Sequence, residues 1–192
     1  GAESGGADTE LVDVCDLDIE YCTGCGTCYA TGTCVQADDF EEVWAKIQDA
    51  DGIVLGSPVY IHSVTAQLKT LIDRTADAVH CQLLTGKYGC AVSTTGGGGE
   101  QEVIDYMNHY LNMLGAVTVG GVGIALGRHP DGLPATEEKA FALGKDLVQA
   151  IAEKRRYPEQ EKALAAQREY FRRLVEANRE TWTHEYEYWM DR

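Results

Sequence analysis

Unbroken apolar runs alternate with amphipathic segments along most of this 192-residue chain. Residues 52–56, 88–93 and 116–124 are apolar runs of strand length, and each is followed by a stretch with helical apolar spacing. Strands buried on both faces consist of such runs, and their alternation with helices is typical of βαβ units with a parallel sheet. The sequence therefore predicts a doubly wound α/β domain, to which residues 9–14 contribute a further short strand.

The helices are predicted from apolar residues that recur at intervals of three and four. Phe40, Val43, Trp44 and Ile47 mark the first of them, after the capping pair Asp38-Asp39. Further helices are expected over 64–78, 101–114, 136–154 and 158–178. We assign residues 1–152 to the α/β domain and residues 153–192 to a C-terminal helical arm.

Charge separates these two parts of the chain. The formal net charge is −15, and residues 1–62 contain one basic residue against thirteen acids, whereas the arm has nine of each sign. Nucleic-acid binding would need a basic face, so this class of partner is excluded. The acidic surface either promotes solubility or selects partners with a basic face. Seven of the sixteen aromatic residues lie in the arm, which indicates packing or an interface rather than a free extension.

Four of the seven cysteines lie close together, within a glycine- and threonine-rich segment at 15–37. Cys22, Cys25, Cys28 and Cys34 are separated by two, two and five residues. This spacing lets the chain wrap four thiolates around the corners of a [4Fe–4S] cluster. A zinc site would favour two Cys pairs separated by a longer loop, and disulfides need an oxidising compartment. Zinc, disulfides and free thiols stay open as alternatives.

The remaining three cysteines and the first residues of the chain give no indication that the protein is exported. Cys15, Cys81 and Cys90 are isolated within apolar patterns, so we interpret them as buried small hydrophobic residues. Residues 1–6 lack the charged and apolar regions of a secretory signal, and no run of about eighteen apolar residues occurs. We expect a cytoplasmic protein with no membrane-spanning helix and no membrane partner.

Two loops follow predicted strands, at the edge where parallel sheets bind ligands. In the first loop, 57–64, Pro58 fixes a turn that presents backbone groups to a planar ligand, and Tyr60 offers a stacking face. In the second loop, 93–100, glycines permit close approach of the backbone and hydroxyls can donate to a ligand. Taken alone, the glycine run favours a flexible loop and Tyr60 favours packing.

Together these features resemble the iron–sulfur flavoproteins, which belong to the flavodoxin-like NAD(P)H-dependent FMN reductases. The resemblance covers residues 9–125 and is carried by the four cysteines, Asp38-Asp39, the string 56–60, Gln67-Leu68-Lys69 and Asp73-Arg74. It implies a flavodoxin-like fold, a [4Fe–4S] cluster on the four cysteines, FMN at the two loops, and a homodimer or homotetramer. The residues implied to bind FMN are Ser57, Pro58, Val59, Tyr60, Ser63, Ser93, Thr94, Thr95, Gly96 and Gly97.

The resemblance also concerns the start of the chain and four further residues. Members of the family begin with a strand and a turn that holds the FMN phosphate at a helix N-terminus. It therefore implies that roughly 25 residues, the length of one strand, loop and helix, precede Gly1. Lys69, Asp73 and Arg74 match the family pattern but are explained by structure or subunit contact at least as well as by chemistry, and His62 is interpreted as a bystander.

The predicted function is electron transfer between FMN and the cluster. Flavins exchange two electrons or one, whereas clusters pass one, so a protein that holds both converts between the two kinds of carrier. The partner is expected to be a redox protein or a small-molecule acceptor, and no general acid or base is predicted. The alternatives are a cluster-free NAD(P)H-dependent FMN or quinone reductase with zinc or free thiols, and a non-enzymatic electron-transfer subunit of a larger complex.

Overall fold

Three parallel strands form the sheet in the computed structural model, which describes all residues, 1–192. β1 spans Gly52–Pro58, β2 spans Tyr88–Thr95 and β3 spans Val117–Ala125, in the order β1-β2-β3. These strands coincide closely with the three apolar runs, which confirms three of the four predicted strands. In the register of the sheet Ser57 lies opposite Ser93, so the two predicted FMN loops leave the sheet side by side.

The chain has eight α-helices, of which two precede β1 and six connect or follow the strands, and it begins with two short 3-10 turns, Glu3–Gly5 and Val14–Asp16. The helices are α1 Thr27–Thr31, α2 Phe40–Asp49, α3 Ala66–Asp73, α4 Ala76–Cys81, α5 Glu100–Met113, α6 Leu133–Glu153, α7 Pro158–Ala177 and α8 Thr183–Met190. Both α6 and α7 carry Pro in their first turn, where its missing N–H leaves no helical hydrogen bond unmade. None of the helices combines the length and the apolar character needed to span a bilayer.

Helices cover both faces of the sheet, as the doubly wound arrangement requires. On one face, Ile53, Leu55 and Ala91 belong to a core of seventeen buried residues that includes side chains of α2, α3 and α5. On the other face, Tyr88 and Cys90 pack against buried side chains of α6. Successive side chains of a strand point to opposite faces, so β2 contributes to both layers, whereas β1 is buried on one face and exposes Val54 on the other.

The strand predicted at residues 9–14 is wrong. The Asp13 carboxylate accepts a hydrogen bond from Cys15 N at 2.9 Å and turns the chain into a 3-10 turn. Val14 packs against the core from this turn, but Cys15 is exposed, so the prediction that it is buried is also wrong. Cys81 and Cys90 are buried, in agreement with the prediction.

The helix predicted over 64–78 is two helices, α3 and α4. They are separated at Arg74 and Thr75, where the Thr75 hydroxyl donates to Ile72 O at 2.7 Å. The Arg74 side chain turns into the protein at this break and forms a buried ion pair. A polar side chain that bonds its own backbone competes with the helical hydrogen bond, which explains the interruption.

The arm, 153–192, packs against the rest of the chain. Phe171, Val175 and Trp189 form a small buried core that side chains of α4 and α5 also contact. The Gln160 side chain bonds the outer edge of β3: its Oε1 accepts from Thr118 N at 2.8 Å, and its Nε2 donates to Thr118 O at 2.8 Å. Gln160 thus satisfies both backbone groups that a further strand would pair. The division of the chain at 152/153 stays a prediction.

Candidate functional site

Two buried serines join the ends of β1 and β2. The Ser93 hydroxyl donates to Ser57 O at 2.9 Å, and Ser57 Oγ accepts from Thr65 N at 3.1 Å. Both buried side chains therefore form hydrogen bonds within the protein, and these bonds fix the paths of the two loops. A ligand at this position would therefore be contacted by the neighbouring backbone rather than by the two hydroxyl groups.

The loop after β1 closes into a tight turn that projects Tyr60 outward. Tyr60 N donates to Ser63 O at 2.9 Å, and Ser63 N donates to Tyr60 O at 3.1 Å. The two residues between them, Ile61 and His62, both have left-handed backbones, with φ of 49° and 59°. This conformation is costly for a β-branched residue, and such strain concentrates at functional loops. The Tyr60 residue is 60% exposed, so its ring is free to contact a planar ligand.

The loop after β2 presents bare backbone. Thr95 Oγ1 accepts from Gly97 N and Gly98 N, both at 3.3 Å, and this holds the glycines in a defined turn. A Cβ placed on Gly96 or Gly97 would meet no atom within 4 Å, so the space in front of them is open. A flat ring system can approach backbone amides closely only where such space is open.

The structure brings the two loops together. Val59 N donates to Thr94 O at 2.9 Å, which ties the first loop to the second. Pro58, Ser63 and Thr94 are exposed around this contact. All ten residues that the sequence assigned to FMN therefore lie at one edge of the sheet, and their contacts with the flavin stay a prediction. His62, the expected bystander, has Nδ1 3.1 Å from Glu102 Oε2 on the exposed surface.

The four clustered cysteines are free thiols on one segment. Cys22 and Cys25 are exposed, whereas Cys28, in α1, and Cys34 are half-buried. Gly24 N donates to Cys22 Sγ at 3.4 Å, an N–H···S bond of the kind that stabilises sulfur ligands. Gly24 has a left-handed backbone, with φ of 67°, and a Cβ there would meet no atom within 4 Å.

The donor set fits an iron–sulfur cluster in its chemistry. No three His, Cys, Asp or Glu side chains lie close enough to surround a single metal ion. A cubane cluster distributes its four thiolates over four separate irons, so it does not require the ligands to converge on one point. Four thiols with left-handed glycines and backbone N–H groups between them match that requirement.

The cysteines differ in how readily they lose a proton. Hydrogen bonds from Thr27 and Thr23 lower the pKa of the Cys25 thiol. Burial, together with the nearby Asp77 carboxylate, raises the pKa of the Cys28 thiol to about 11. Since a thiol must be deprotonated to bind a metal, these shifts favour ionisation of Cys25 over ionisation of Cys28.

A buried ion pair anchors the cysteine segment to the domain. Asp38 Oδ2 accepts from Glu20 N at 2.9 Å and from Arg74 Nη1 at 2.6 Å, and Arg74 Nη1 also donates to Glu20 O at 2.9 Å. Asp39 makes a parallel contact, because its Oδ2 accepts from Asp18 N at 2.8 Å. These residues thus hold the chain just before Cys22.

The other residues of the family pattern are explained by structure as well. The Arg74 Nε is buried without a hydrogen-bond partner, and the Cys34 thiol is among the groups that raise the pKa of the guanidinium against the cost of its desolvation. Lys69 and Asp73 form an ion pair with each other on the surface of α3.

A second cluster of polar residues, which the sequence did not predict, lies beneath α1. His80 Nδ1 is 3.0 Å and 3.2 Å from the two carboxylate oxygens of Glu185, a residue of α8 that is fully buried. Burial, together with the Glu185 charge, raises the pKa of the neighbouring Asp77 to about 7. No local pattern links His80 to Glu185, because the two residues are 105 positions apart.

Several known proteins are similar to this chain in sequence. The family described as NADPH-dependent FMN reductase matches residues 1–131. An iron–sulfur flavoprotein of Archaeoglobus fulgidus is 37% identical over 194 aligned residues, which cover 99% of this chain and 86% of the relative. An iron–sulfur flavoprotein of Methanosarcina thermophila is 30% identical, with 80% of this chain and 79% of the relative covered.

The fold has a counterpart among solved structures. RosB, crystallised with 8-demethyl-8-formylriboflavin-5′-phosphate, superimposes with a TM-score of 0.61 at 18% identity, covering 88% of this chain and 76% of that one. At this identity the likeness supports the flavodoxin-like fold alone. The family match and the two relatives establish the class of enzyme. The chain is an FMN-dependent oxidoreductase that belongs to the NADPH-dependent FMN reductase family, among its iron–sulfur flavoproteins.

Proposed function

We propose that this chain holds a [4Fe–4S] cluster on Cys22, Cys25, Cys28 and Cys34 and passes electrons between that cluster and FMN. The observation that carries the proposal is the set of four free thiols on one anchored segment, with left-handed glycines between them. The names of the relatives, iron–sulfur flavoproteins, support it. When bound, FMN supplies exchange of two electrons or one, and the cluster supplies transfer of one.

The loops after β1 and β2 would bind and orient the flavin. Gly96 and Gly97 leave room for a ring system against the backbone, Thr95 fixes their turn, and Tyr60 presents an exposed ring beside them. The remaining residues of the set frame this surface: Ser57, Pro58, Val59, Ser63, Ser93 and Thr94. On this proposal the loops exclude water from one face of the flavin and leave the other open to an electron donor or acceptor.

The acidic surroundings would set the direction of electron flow. Residues 1–62 carry thirteen acids and one base, so their field disfavours adding an electron to a cluster held there. We therefore infer a low reduction potential and a redox partner with a basic face. A redox titration at low and at high salt tests this inference, because a high potential that salt does not change would contradict it.

Anaerobic purification tests the central proposal. We expect iron, acid-labile sulfide and FMN in the purified chain, and a loss of iron when any one of Cys22, Cys25, Cys28 and Cys34 is replaced by Ser. Cys15→Ser is the matched control, since this exposed thiol lies outside the predicted ligand set. One zinc per chain and no iron would favour the cluster-free reductase instead. The molar mass in solution tests the proposed homodimer or homotetramer.

A further inference from the structure

The last helix of the chain lies directly on the helix that carries Cys28. Thr183 Oγ1, in the first turn of α8, donates to Ala30 O of α1 at 3.1 Å. The His184 ring covers Gly32, the residue that ends α1, so closely that a Cβ on Gly32 would come within 2.5 Å of the ring. Two successive residues of α8 therefore contact the C-terminal end of α1.

Aromatic rings fill the space between these helices. The Tyr29 ring, next to Cys28, lies with its centroid 4.7 Å from Trp182 and 5.1 Å from His80. His80 and Trp182 are themselves stacked, with centroids 5.0 Å apart and planes at 14°. Because close-packed rings permit little movement, this stack fixes the position of α1 relative to α4.

A buried hydrogen-bonded contact between Glu185 and His80 holds α8 in place beneath the stack. The Glu185 residue is fully buried, and its carboxylate oxygens lie 3.0 Å and 3.2 Å from His80 Nδ1. A buried carboxyl group is costly unless it is hydrogen-bonded, so Glu185 depends on this contact, and α8 cannot leave its position without breaking it.

We propose that Glu185 and His80 are positioning residues for Cys28, and that α8 is part of the iron–sulfur site rather than an appendage to the fold. This inference rests on the proposed function for the reason why Cys28 needs a fixed position. The contacts that support it lie entirely within the chain. Through the ring stack, the buried Glu185–His80 contact holds α1 at the angle that directs Cys28 towards the other ligands. Loss of the contact should release α1 locally and leave the sheet intact.

Alkylation of the metal-free chain tests the positioning role. In Glu185→Ala we expect iodoacetamide to modify Cys28 several-fold faster than in the unchanged protein, as measured by peptide mass spectrometry. Cys25, already exposed, and Cys90, buried in β2, should react at their original rates. Glu185→Gln keeps the size and a hydrogen-bonding oxygen and should restore slow labelling. Glu187→Ala, an exposed acid on the same helix, is the matched control.

The outcomes separate this inference from the proposed function. After anaerobic reconstitution, Glu185→Ala should retain less iron than the unchanged chain and show a broadened electron paramagnetic resonance signal in the reduced state. Unchanged labelling of Cys28 in folded Glu185→Ala would overturn the inference, and so would equal acceleration at Cys28 and Cys90, which reports general instability. If Glu185→Ala does not fold, Trp182→Ala disturbs the same stack and gives the same readout. Faster labelling of Cys28 in a chain that takes up no iron would support the positioning role and overturn the cluster.

Discussion

Arg74 and Asp38 form a two-pronged ion pair inside the protein, with Nη1–Oδ2 at 2.6 Å and Nη2–Oδ1 at 3.2 Å. Their side chains are 0% and 4% exposed, and the guanidinium also lies over the Phe40 ring. Removal of one partner leaves the other charge buried without compensation. We expect Asp38→Ala to lower the free energy of unfolding by about 3–5 kcal/mol, as measured by urea denaturation. Asp49→Ala, an exposed acid on α2 without an ion pair, should change it by less than about 0.5 kcal/mol.

The same pair predicts how stability depends on pH. Desolvation raises the pKa of the Asp38 carboxyl, but hydrogen bonds from Arg74 and from the backbone outweigh it, so the pKa lies below its ordinary value of 3.8. A lowered folded-state pKa contributes stability that is present above the ordinary value and is lost as pH falls through the folded value. The difference in urea midpoint between the unchanged chain and Asp38→Asn should therefore be constant near neutral pH and shrink below about pH 4. A difference that grows on acidification would contradict this assignment.

Gln160 supplies a third prediction, because its amide replaces a strand partner at the edge of β3. Gln160→Ala leaves Thr118 N and Thr118 O without the hydrogen bonds that they now make, and also removes the acceptor of Asn112 Nδ2 at 3.1 Å. Unpaired buried polar groups cost about 1–3 kcal/mol, and we expect a loss of that size in thermal or urea unfolding. Gln149→Ala, on the exposed face of α6, should have little effect. Equal stability of the two variants would show that water replaces the amide at the sheet edge.

A substitution at Gly97 should affect flavin binding without affecting folding. A side chain at this position meets no atom of the protein, and the backbone is not in the left-handed region, so Gly97→Val should leave the unfolding midpoint nearly unchanged. If FMN lies over this loop, the added side chain occupies its space and should weaken FMN binding about tenfold or more, since about 1.4 kcal/mol corresponds to that factor. Quenching of FMN fluorescence on binding measures the affinity.

The control for Gly97→Val adds the same kind of side chain away from the two loops. Ala166 is exposed in α7, within the arm, so Ala166→Val should leave the affinity for FMN unchanged and lower the free energy of unfolding by no more than about 0.7 kcal/mol. Gly86 would not serve as a control, because its φ of 89° makes any side chain there strained. Unchanged FMN affinity in Gly97→Val would move the flavin away from the loop after β2.

The sheet and the two loops at one of its edges follow from the sequence because their causes are local. The runs at 52–56 and 88–93 are apolar on both faces, and a strand of a parallel sheet needs that composition. The cysteine spacing is also a local feature of the sequence, and the cluster that it predicts remains a proposal. The apolar pattern of α2 also places Phe40 and Trp44 correctly in the core.

What the sequence does not indicate depends on contacts between distant residues. The pattern over 64–78 is continuous, and the break between α3 and α4 depends on the side-chain contacts of Thr75 with Ile72 O and of Arg74 with Asp38. α8 buries a glutamate, which an apolar pattern cannot signal, because its partner His80 comes from a different part of the chain. Residues 9–14 have the composition of a strand, but no neighbouring strand pairs with them.

The contact between Thr183 and Ala30 joins residues 153 positions apart, and this separation has a consequence for biosynthesis. At translation rates of about 5–20 residues per second, the cysteine segment waits roughly 8–30 s before α8 has been made. During that interval Tyr29 lacks the Trp182 ring that packs against it, and the end of α1 lacks the His184 ring. Chains whose synthesis stops early would present α1 without the helix that packs on it. The packing of α1 is thus completed only when the whole polypeptide has been made.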